Sequence, residues 1–170
     1  MKYVLLCLLL QTGMLATAQF KSATLQASGL TCAMCSNAIH KSLSQLTFIA
    51  SIEPDLENSA FVVQFKQDAE VDFDAMRKRV EDAGFYVARL TVSARFNADK
   101  VQKGQVFQYR HLQFFIVESA TPVLQGQYNF TILDKGFVSA RELKKYQGII
   151  RAGSYKTGQF NGRRVYHITI

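Results

Sequence analysis

The sequence predicts an α+β fold built from two small units, and two observations support this. Residues 19–91 mix strand-like and helix-like apolar patterns, whereas residues 104–170 are mostly strand-like. The formal charge also changes sign, because residues 19–90 carry a net charge of −2 and residues 91–170 a net charge of +8. Units of about 70 to 80 residues are large enough to fold alone. We therefore predict two domains, 19–91 and 104–170, joined by a polar linker at 92–103.

The chain begins with a pattern typical of a secretory signal peptide. Met1–Tyr3 precedes a short apolar run, Val4–Leu10, and Ala16–Ala18 has the small-residue A-x-A form of a cleavage site. The apolar run is too short to cross a bilayer, which takes about 20 residues. We therefore expect residues 1–18 to be removed and the mature protein to be exported without a transmembrane segment. It would be periplasmic in a Gram-negative bacterium and secreted otherwise.

Residues 19–91 predict four strands and two helices in the order βαββαβ. Alternating apolar residues predict strands at 22–28, 48–52, 61–66 and 86–90. Helical apolar spacing predicts helices at 35–46 and 73–83. Gly84 follows the second helix at a position where glycine commonly ends helices. This order of elements predicts a ferredoxin-like fold.

Two cysteines lie at the junction between the first strand and the first helix, in the run Gly29-Leu30-Thr31-Cys32-Ala33-Met34-Cys35. A cysteine at a helix N-terminus is favoured as the thiolate by the helix dipole and the free N–H groups. A disulfide between two such close residues would add little stability, because the loop that it closes is very short. Paired thiolates are ligands for soft metal ions such as Cu(I). The spacing therefore predicts a functional pair rather than a structural crosslink.

This motif, the βαββαβ order and the closing run Glu81-Asp82-Ala83-Gly84-Phe85 together resemble the heavy-metal-associated domain. That family includes copper chaperones, N-terminal domains of metal-exporting P-type ATPases and periplasmic mercury-binding proteins. The resemblance covers residues 19–91 and implies that Cys32 and Cys35 bind one metal ion. It also implies that Leu30, Thr31 and Phe85 support the metal-binding loop.

The resemblance implies Cu(I) as the preferred ion, with Hg(II) as its main rival and Zn(II) as a further alternative. Zn²⁺ usually takes four ligands, whereas the loop offers two sulfurs, and Thr31 stands where zinc-binding relatives carry Asp. Cu(I) accepts two thiolates in near-linear coordination, as it does in the copper-binding relatives. The implied function is an exported carrier or sequestration protein that passes one ion by ligand exchange. Its partner would be a P-type ATPase or another CxxC or Met-rich carrier.

Other functions are weighed against this one. A periplasmic Hg(II)-binding protein fits the same motif, and a protein-interaction module would keep the metal domain only as a scaffold. A thioredoxin-like enzyme is disfavoured, because the motif has no Pro and the extra elements of that fold are missing. No Ser or Cys has an obvious His and acid partner, and there is no phosphate-binding Gly loop, so no enzyme is predicted.

Residues 104–170 predict five strands and one short helix, the layout of a small OB-like barrel. The strands are predicted at 106–109, 112–117, 128–133, 154–160 and 164–170. Ser139 and Glu142 have the spacing of a capping box, which predicts a helix at 139–146. Asn161-Gly162 predicts a tight type I′ turn.

The role of this second unit is not determined by a motif. Its basic charge and aromatic residues would suit single-stranded nucleic acid in a cytoplasmic protein, but export favours a solvated basic surface and no nucleic acid as partner. His111 and His167 lie within predicted strands, where a lone histidine is usually structural rather than a metal ligand.

Overall fold

One eight-stranded sheet runs through the part of the chain that the structure describes, which is residues 19–29, 33–146, 150 and 154–170 of a computed structural model. In chain order the elements are β1 (Gln19–Ser28), α1 (Ala33–Leu43), β2 (Ile49–Asp55), β3 (Ala60–Phe65), α2 (Phe73–Asp82), β4 (Tyr86–Lys100), β5 (Val106–Tyr109), β6 (Leu112–Glu118), β7 (Val123–Ile132), α3 (Ala140–Tyr146), α4 (Ser154–Thr157), β8 (Gln159–Phe160), β9 (Arg163–Arg164) and β10 (Tyr166–Thr169). The strand order in the sheet is β2-β3-β1-β4-β7-β10-β6-β5, and β8 and β9 form a separate two-stranded ribbon.

The first six elements confirm the predicted βαββαβ order. β1 pairs antiparallel with both β3 and β4, and β2 pairs with β3 at the edge of the sheet. The two helices lie on one face because their apolar stripes are fully buried there: Ile39 and Leu43 in α1, and Phe73, Met76 and Val80 in α2, are inaccessible to solvent.

The predicted linker at 92–103 is wrong for most of its length, because residues 92–100 form the second half of β4. Val92, Ala94 and Phe96 are buried and alternate with polar positions such as Arg95. Residues 91–100 of β4 pair antiparallel with β7, and residues 86–95 pair antiparallel with β1. The two predicted domains therefore share a continuous strand instead of a flexible connection.

The described residues do not form the predicted OB-like barrel. β7, β10, β6 and β5 extend the first sheet instead of closing on themselves. β10 runs parallel to β6 and antiparallel to β7, a pairing between distant segments that local sequence patterns do not encode. Residues 154–157 form α4 rather than part of the predicted strand at 154–160. The turn at Asn161-Gly162 is confirmed, since both residues have positive φ as a type I′ turn requires.

A single aromatic core joins the two halves of the chain. The Phe20 ring contacts Phe73 of α2 and the rings of Tyr109, Phe114 and Phe130 from β5, β6 and β7. The opposite face of the sheet carries a smaller cluster, formed by Val117, Leu133, Val138 and Ile150 with Phe115, Leu143 and Tyr146. Neighbouring residues of β6 contribute to the two clusters in turn, because successive side chains of a strand point to opposite faces.

The predicted signal peptide, residues 1–18, lies outside the described residues. Among the residues that are described, no helix is long and apolar enough to span a membrane.

Candidate metal centre

The cysteine motif joins β1 to α1 at one end of the sheet. β1 ends at Ser28, and α1 begins at Ala33, so Cys35 lies in the first turn of the helix. Cys35 is half-buried and forms a disulfide. The other two cysteines of the chain, Cys7 and Cys32, lie outside the described residues. The structure therefore describes an oxidised form of Cys35.

Gly29 begins the loop with a backbone conformation that favours glycine. Its φ is +84°, in the left-handed region, which lets the chain turn away from β1 directly after Ser28. The Phe85 ring lies over this turn, since a Cβ placed on Gly29 would be 3.8 Å from Cδ1 of Phe85. Phe85 also packs against the main core. The Phe85 ring thus lies beside Gly29, at the start of the loop.

The end of α2 determines where Phe85 points. The N–H of Gly84 donates to the carbonyl of Glu81 over 2.9 Å, and the N–H of Phe85 donates to the carbonyl of Val80 over 3.1 Å. These two bonds form a Schellman motif, with Gly84 at a φ of +86°. The predicted helix end at Gly84 is confirmed, and it directs the chain back toward the end of β1, where Tyr86 lies opposite Ser28.

Two large apolar side chains, one of them within the motif, are exposed. Met34 is 84 % exposed, and Leu56, in the turn between β2 and β3, is 67 % exposed. A groove of about 360 Å³ separates α1 from this turn and is lined by Ser36, Asn37, His40, Pro54 and Leu56. Such apolar groups at an exposed end of the molecule can contact another protein.

The same turn is acidic. Asp55 accepts hydrogen bonds from the side-chain amide of Asn58 at 2.8 Å and from its backbone N–H at 3.1 Å. These bonds, the side-chain one first, hold the pKa of Asp55 below its usual value. Glu53 and Glu57 are exposed beside it. Negative charge therefore adjoins the apolar groups near the motif.

The predicted site residues divide into two sets. Cys35 and Phe85 are described, whereas Leu30, Thr31 and Cys32 lie outside the described residues. Within the described ranges, no group of three or more His, Cys, Asp or Glu residues is placed to hold a metal ion. His111 contacts the carbonyl of Val71 through Nε2 at 2.9 Å.

Sequence reasoning missed a second constellation, formed by residues in the second half of the chain. The statement that no serine has a histidine and an acid as partners is wrong, because Ser154, His167 and Asp134 form a hydrogen-bonded series. These residues are far apart in the sequence and carry no common motif. Only the pairing of β10 with β7 and β6 brings them together.

Residues 24–86 match the family model of the heavy-metal-associated domain. This confirms the resemblance predicted for residues 19–91, and it places the Cys32–Cys35 motif within the matched segment. The match covers the βαββα part of the chain and ends at the first residue of β4.

Three of the solved structures similar to this chain are as follows. The CopZ metallochaperone is 26 % identical, with a TM-score of 0.36, covering 42 % of this chain and all of that one. Oxidized MerP from Ralstonia metallidurans CH34 is 26 % identical, with a TM-score of 0.37, covering 42 % of this chain and 96 % of that one. Apo-CopP from Helicobacter pylori is 28 % identical, with a TM-score of 0.35, covering 39 % of this chain and 98 % of that one. A search of the curated proteins returned no match.

Proposed function

We propose that this protein is a carrier for a single soft metal ion, Cu(I), held between the thiolates of Cys32 and Cys35. The observation that carries the proposal is the match of residues 24–86 to the heavy-metal-associated domain, with a CxxC motif inside the matched segment. Thiolates are soft ligands and select soft ions. Hg(II) is the alternative cargo, because it is equally soft.

The position of Cys35 suits this chemistry. It lies in the first turn of α1, where unpaired backbone N–H groups and the helix dipole favour a thiolate. The cysteine must first be reduced, because its sulfur is oxidised in a disulfide. Two thiolates of an external thiol reductant supply the two electrons and become a disulfide, and the protein's disulfide becomes two thiolates. The carrier therefore binds metal only in its reduced form.

Transfer to a partner proceeds by ligand exchange. A thiolate of the partner adds to the two-coordinate ion, and one of the two original thiolates then leaves. The exposed Met34 and Leu56, next to the acidic turn that contains Asp55, form a surface on which a partner can dock. This surface favours a partner with a basic rim around its own cysteines, because opposite charges speed and orient the encounter. A P-type ATPase domain or another CxxC carrier is the expected class of partner.

The proposal includes export, which rests on residues 1–18 alone. The short apolar run and the A-x-A site predict a cleaved leader. N-terminal sequencing of the protein isolated from its host tests this, since a cleaved chain begins at Gln19. A chain that begins at Met1 would contradict export by this route.

The deciding experiment is an anaerobic titration of the reduced protein with Cu(I) in competition with a chelator, with Hg(II) and Zn(II) in parallel. We expect one tightly held Cu(I) for each chain, and we expect Cys32→Ser and Cys35→Ser each to abolish tight binding. Met34→Leu is the matched control, because it changes an exposed sulfur inside the same motif and should leave the affinity unchanged.

Each alternative function predicts a different result. Tight Hg(II) binding with weak Cu(I) binding would replace the cargo in the proposal. Stoichiometric Cu(I) binding by either cysteine variant would refute the two-thiolate site. If none of the three ions binds, the result would favour a protein-interaction module in which the domain serves only as a scaffold. Turnover in a disulfide-reductase assay would instead indicate a redox enzyme.

A further inference from the structure

A series of three hydrogen-bonded side chains lies in the half of the chain that the family model does not cover. Oγ of Ser154 is 2.8 Å from Nε2 of His167, and Nδ1 of the same ring is 2.6 Å from Oδ1 of Asp134. Both distances fall within hydrogen-bonding range. A serine, an imidazole and a carboxylate bonded in this order can act as a nucleophile, its general base and the acid that orients the base. Such a triad is recognised by its geometry, whatever the order of the three residues in the chain.

The partners of the ring determine its tautomer. A carboxylate can only accept, so Nδ1 of His167 carries the proton and donates it to Asp134. Nε2 then has a free lone pair and accepts the O–H of Ser154. This is the tautomer in which an imidazole can remove the hydroxyl proton.

Arg164 holds the acid of the series in place. The other oxygen of Asp134 accepts from Nη1 of Arg164 at 2.9 Å, and Arg164 also donates through Nε to Asp74 at 2.6 Å. The Asp134 carboxylate is therefore fixed by the His167 ring on one oxygen and by the Arg164 guanidinium on the other.

Packing fixes the ring in place and leaves Ser154 half-buried. His167 is fully buried and Asp134 is 2 % exposed, whereas Ser154 is half-buried. The imidazole lies against the Phe115 ring, with the ring centres 5.2 Å apart. A base and an orienting acid shielded from water, next to a serine that is not fully buried, meet the structural requirement for a nucleophile.

A polar cleft of about 560 Å³ lies on the Asp134 side of this series. Its lining includes Asp134, Arg164 and the segment Lys156–Gly158, which begins two residues after Ser154. The cleft is lined mainly by charged and polar groups, so it suits a small polar acyl group better than a long apolar one.

We propose that Ser154 is a nucleophile for acyl transfer from small polar carboxylic esters, with His167 as its general base and Asp134 as the residue that positions the ring. Oγ of Ser154 forms a bond to the ester carbonyl carbon while its proton passes to Nε2 of His167. The bond between that carbon and the leaving oxygen then breaks, and the departing alcohol takes the proton. Water repeats the sequence, releasing the carboxylic acid and restoring Ser154. This activity is independent of the metal carrier proposed above.

The test uses the full mature protein with a fluorophosphonate, which reacts with activated serines. Oγ of Ser154 bonds to phosphorus as fluoride leaves, and peptide mapping locates the adduct. We expect labelling at Ser154 to be at least about a hundredfold faster than at Ser42, in line with the contribution of a general base. Ser42 is the matched internal control, since it is also partly buried but donates to the carbonyl of Arg79.

Variants and a simple ester complete the test. Ser154→Ala should abolish both labelling and the hydrolysis of p-nitrophenyl acetate, whereas Ser42→Ala should change neither. His167→Asn keeps a donor toward Asp134 but has no Nε2, so labelling should slow about a hundredfold or more in a variant that folds by circular dichroism. Asp134→Asn should lower kcat for the ester with little change in KM, as expected for a positioning residue.

Three results would each overturn the proposal. One is equal labelling of Ser154 and Ser42 in the wild-type protein, a comparison that needs no variant to fold. Another is a folded His167→Asn variant that is labelled at the wild-type rate. The last is ester hydrolysis that persists in Ser154→Ala.

Discussion

Replacing Phe20 by Ala tests whether the two halves of the chain form one cooperative unit. Phe20 lies at the start of β1, is 2 % exposed, and its ring centre is 5.0 to 6.4 Å from those of four other aromatic residues. One of these rings belongs to α2 and the other three to β5, β6 and β7. The truncation would leave a cavity whose walls come from both halves, and bulky aromatic walls collapse little into such a space.

The expected loss of stability follows from this cavity. Phe→Ala in a core costs about 3–5 kcal/mol, and the four aromatic contacts place Phe20 toward the upper part of that range, at about 4 kcal/mol. For a chain of this size, about 2–4 °C of Tm is lost per kcal/mol. We therefore expect the Tm to fall by about 8–16 °C, with far-UV and near-UV circular dichroism changing together in one transition.

Two control variants make the result specific. Phe20→Leu retains most of the volume and should lose much less stability than Phe20→Ala. Phe160→Ala removes a ring that is 42 % exposed, so it should stay within about 0.5 kcal/mol of wild type. Two separate unfolding transitions, with only one shifted by Phe20→Ala, would show that the halves unfold independently and would refute the shared core.

Three further predictions concern the contacts that hold α2 in place. Asp74→Asn should lower the free energy of unfolding in urea by about 1–2 kcal/mol, because Asp74 accepts hydrogen bonds from Arg164 and Tyr166. The loss stays modest because the Asp74 side chain is about a third exposed. Lys78→Gln is the control, because it breaks an exposed ion pair and should lower the free energy of unfolding far less. Burial raises the pKa of Asp74, but the hydrogen bond and charge of Arg164 outweigh it, so the pKa lies below 3.8 when folded. The stability that ionised Asp74 contributes is therefore complete above about pH 4 and declines as the pH falls through the folded pKa. Unfolding free energies that fall equally steeply below pH 4 in wild type and in Asp74→Asn would contradict this. Gly84→Ala should lower the Tm by a few degrees, because a φ of +86° costs an alanine about 1 kcal/mol in backbone strain. No atom lies within 4 Å of the added Cβ, so the loss comes from the backbone alone, and an unchanged Tm would contradict this.

The first half of the chain was predictable because local patterns and tertiary contacts agree there. Leu25 alternates along β1, and Met76 and Val80 recur along α2, and each of these residues is fully buried as its pattern predicts. The helix end at Gly84 and the turn at Asn161-Gly162 were also predictable, since each requires a positive φ that few residues adopt.

The second half was harder to predict because polar residues obscured its longest strand. In β4, Arg95 is exposed between two buried residues and Asn97 is also exposed, and Ala98 at a φ of +58° accompanies a bulge that interrupts the alternation. The segment therefore resembled a linker in composition. The Ser139 capping interaction was predicted correctly, since its Oγ accepts from the N–H of Glu142 at 3.2 Å, but the Glu142 carboxylate instead pairs with Arg89 across the fold.

The sequence by itself determined the βαββαβ order and the cysteine motif at the β1–α1 junction, because these depend on spacings within short segments. The tertiary structure alone decided that the two halves share one sheet, and that Ser154, His167 and Asp134 meet. The shared sheet depends on the pairing of β4 with β7, and the meeting of the three side chains depends on β10 joining the sheet between β6 and β7. A pairing between segments distant in the chain is selected by the burial that it allows, and no local pattern records that choice.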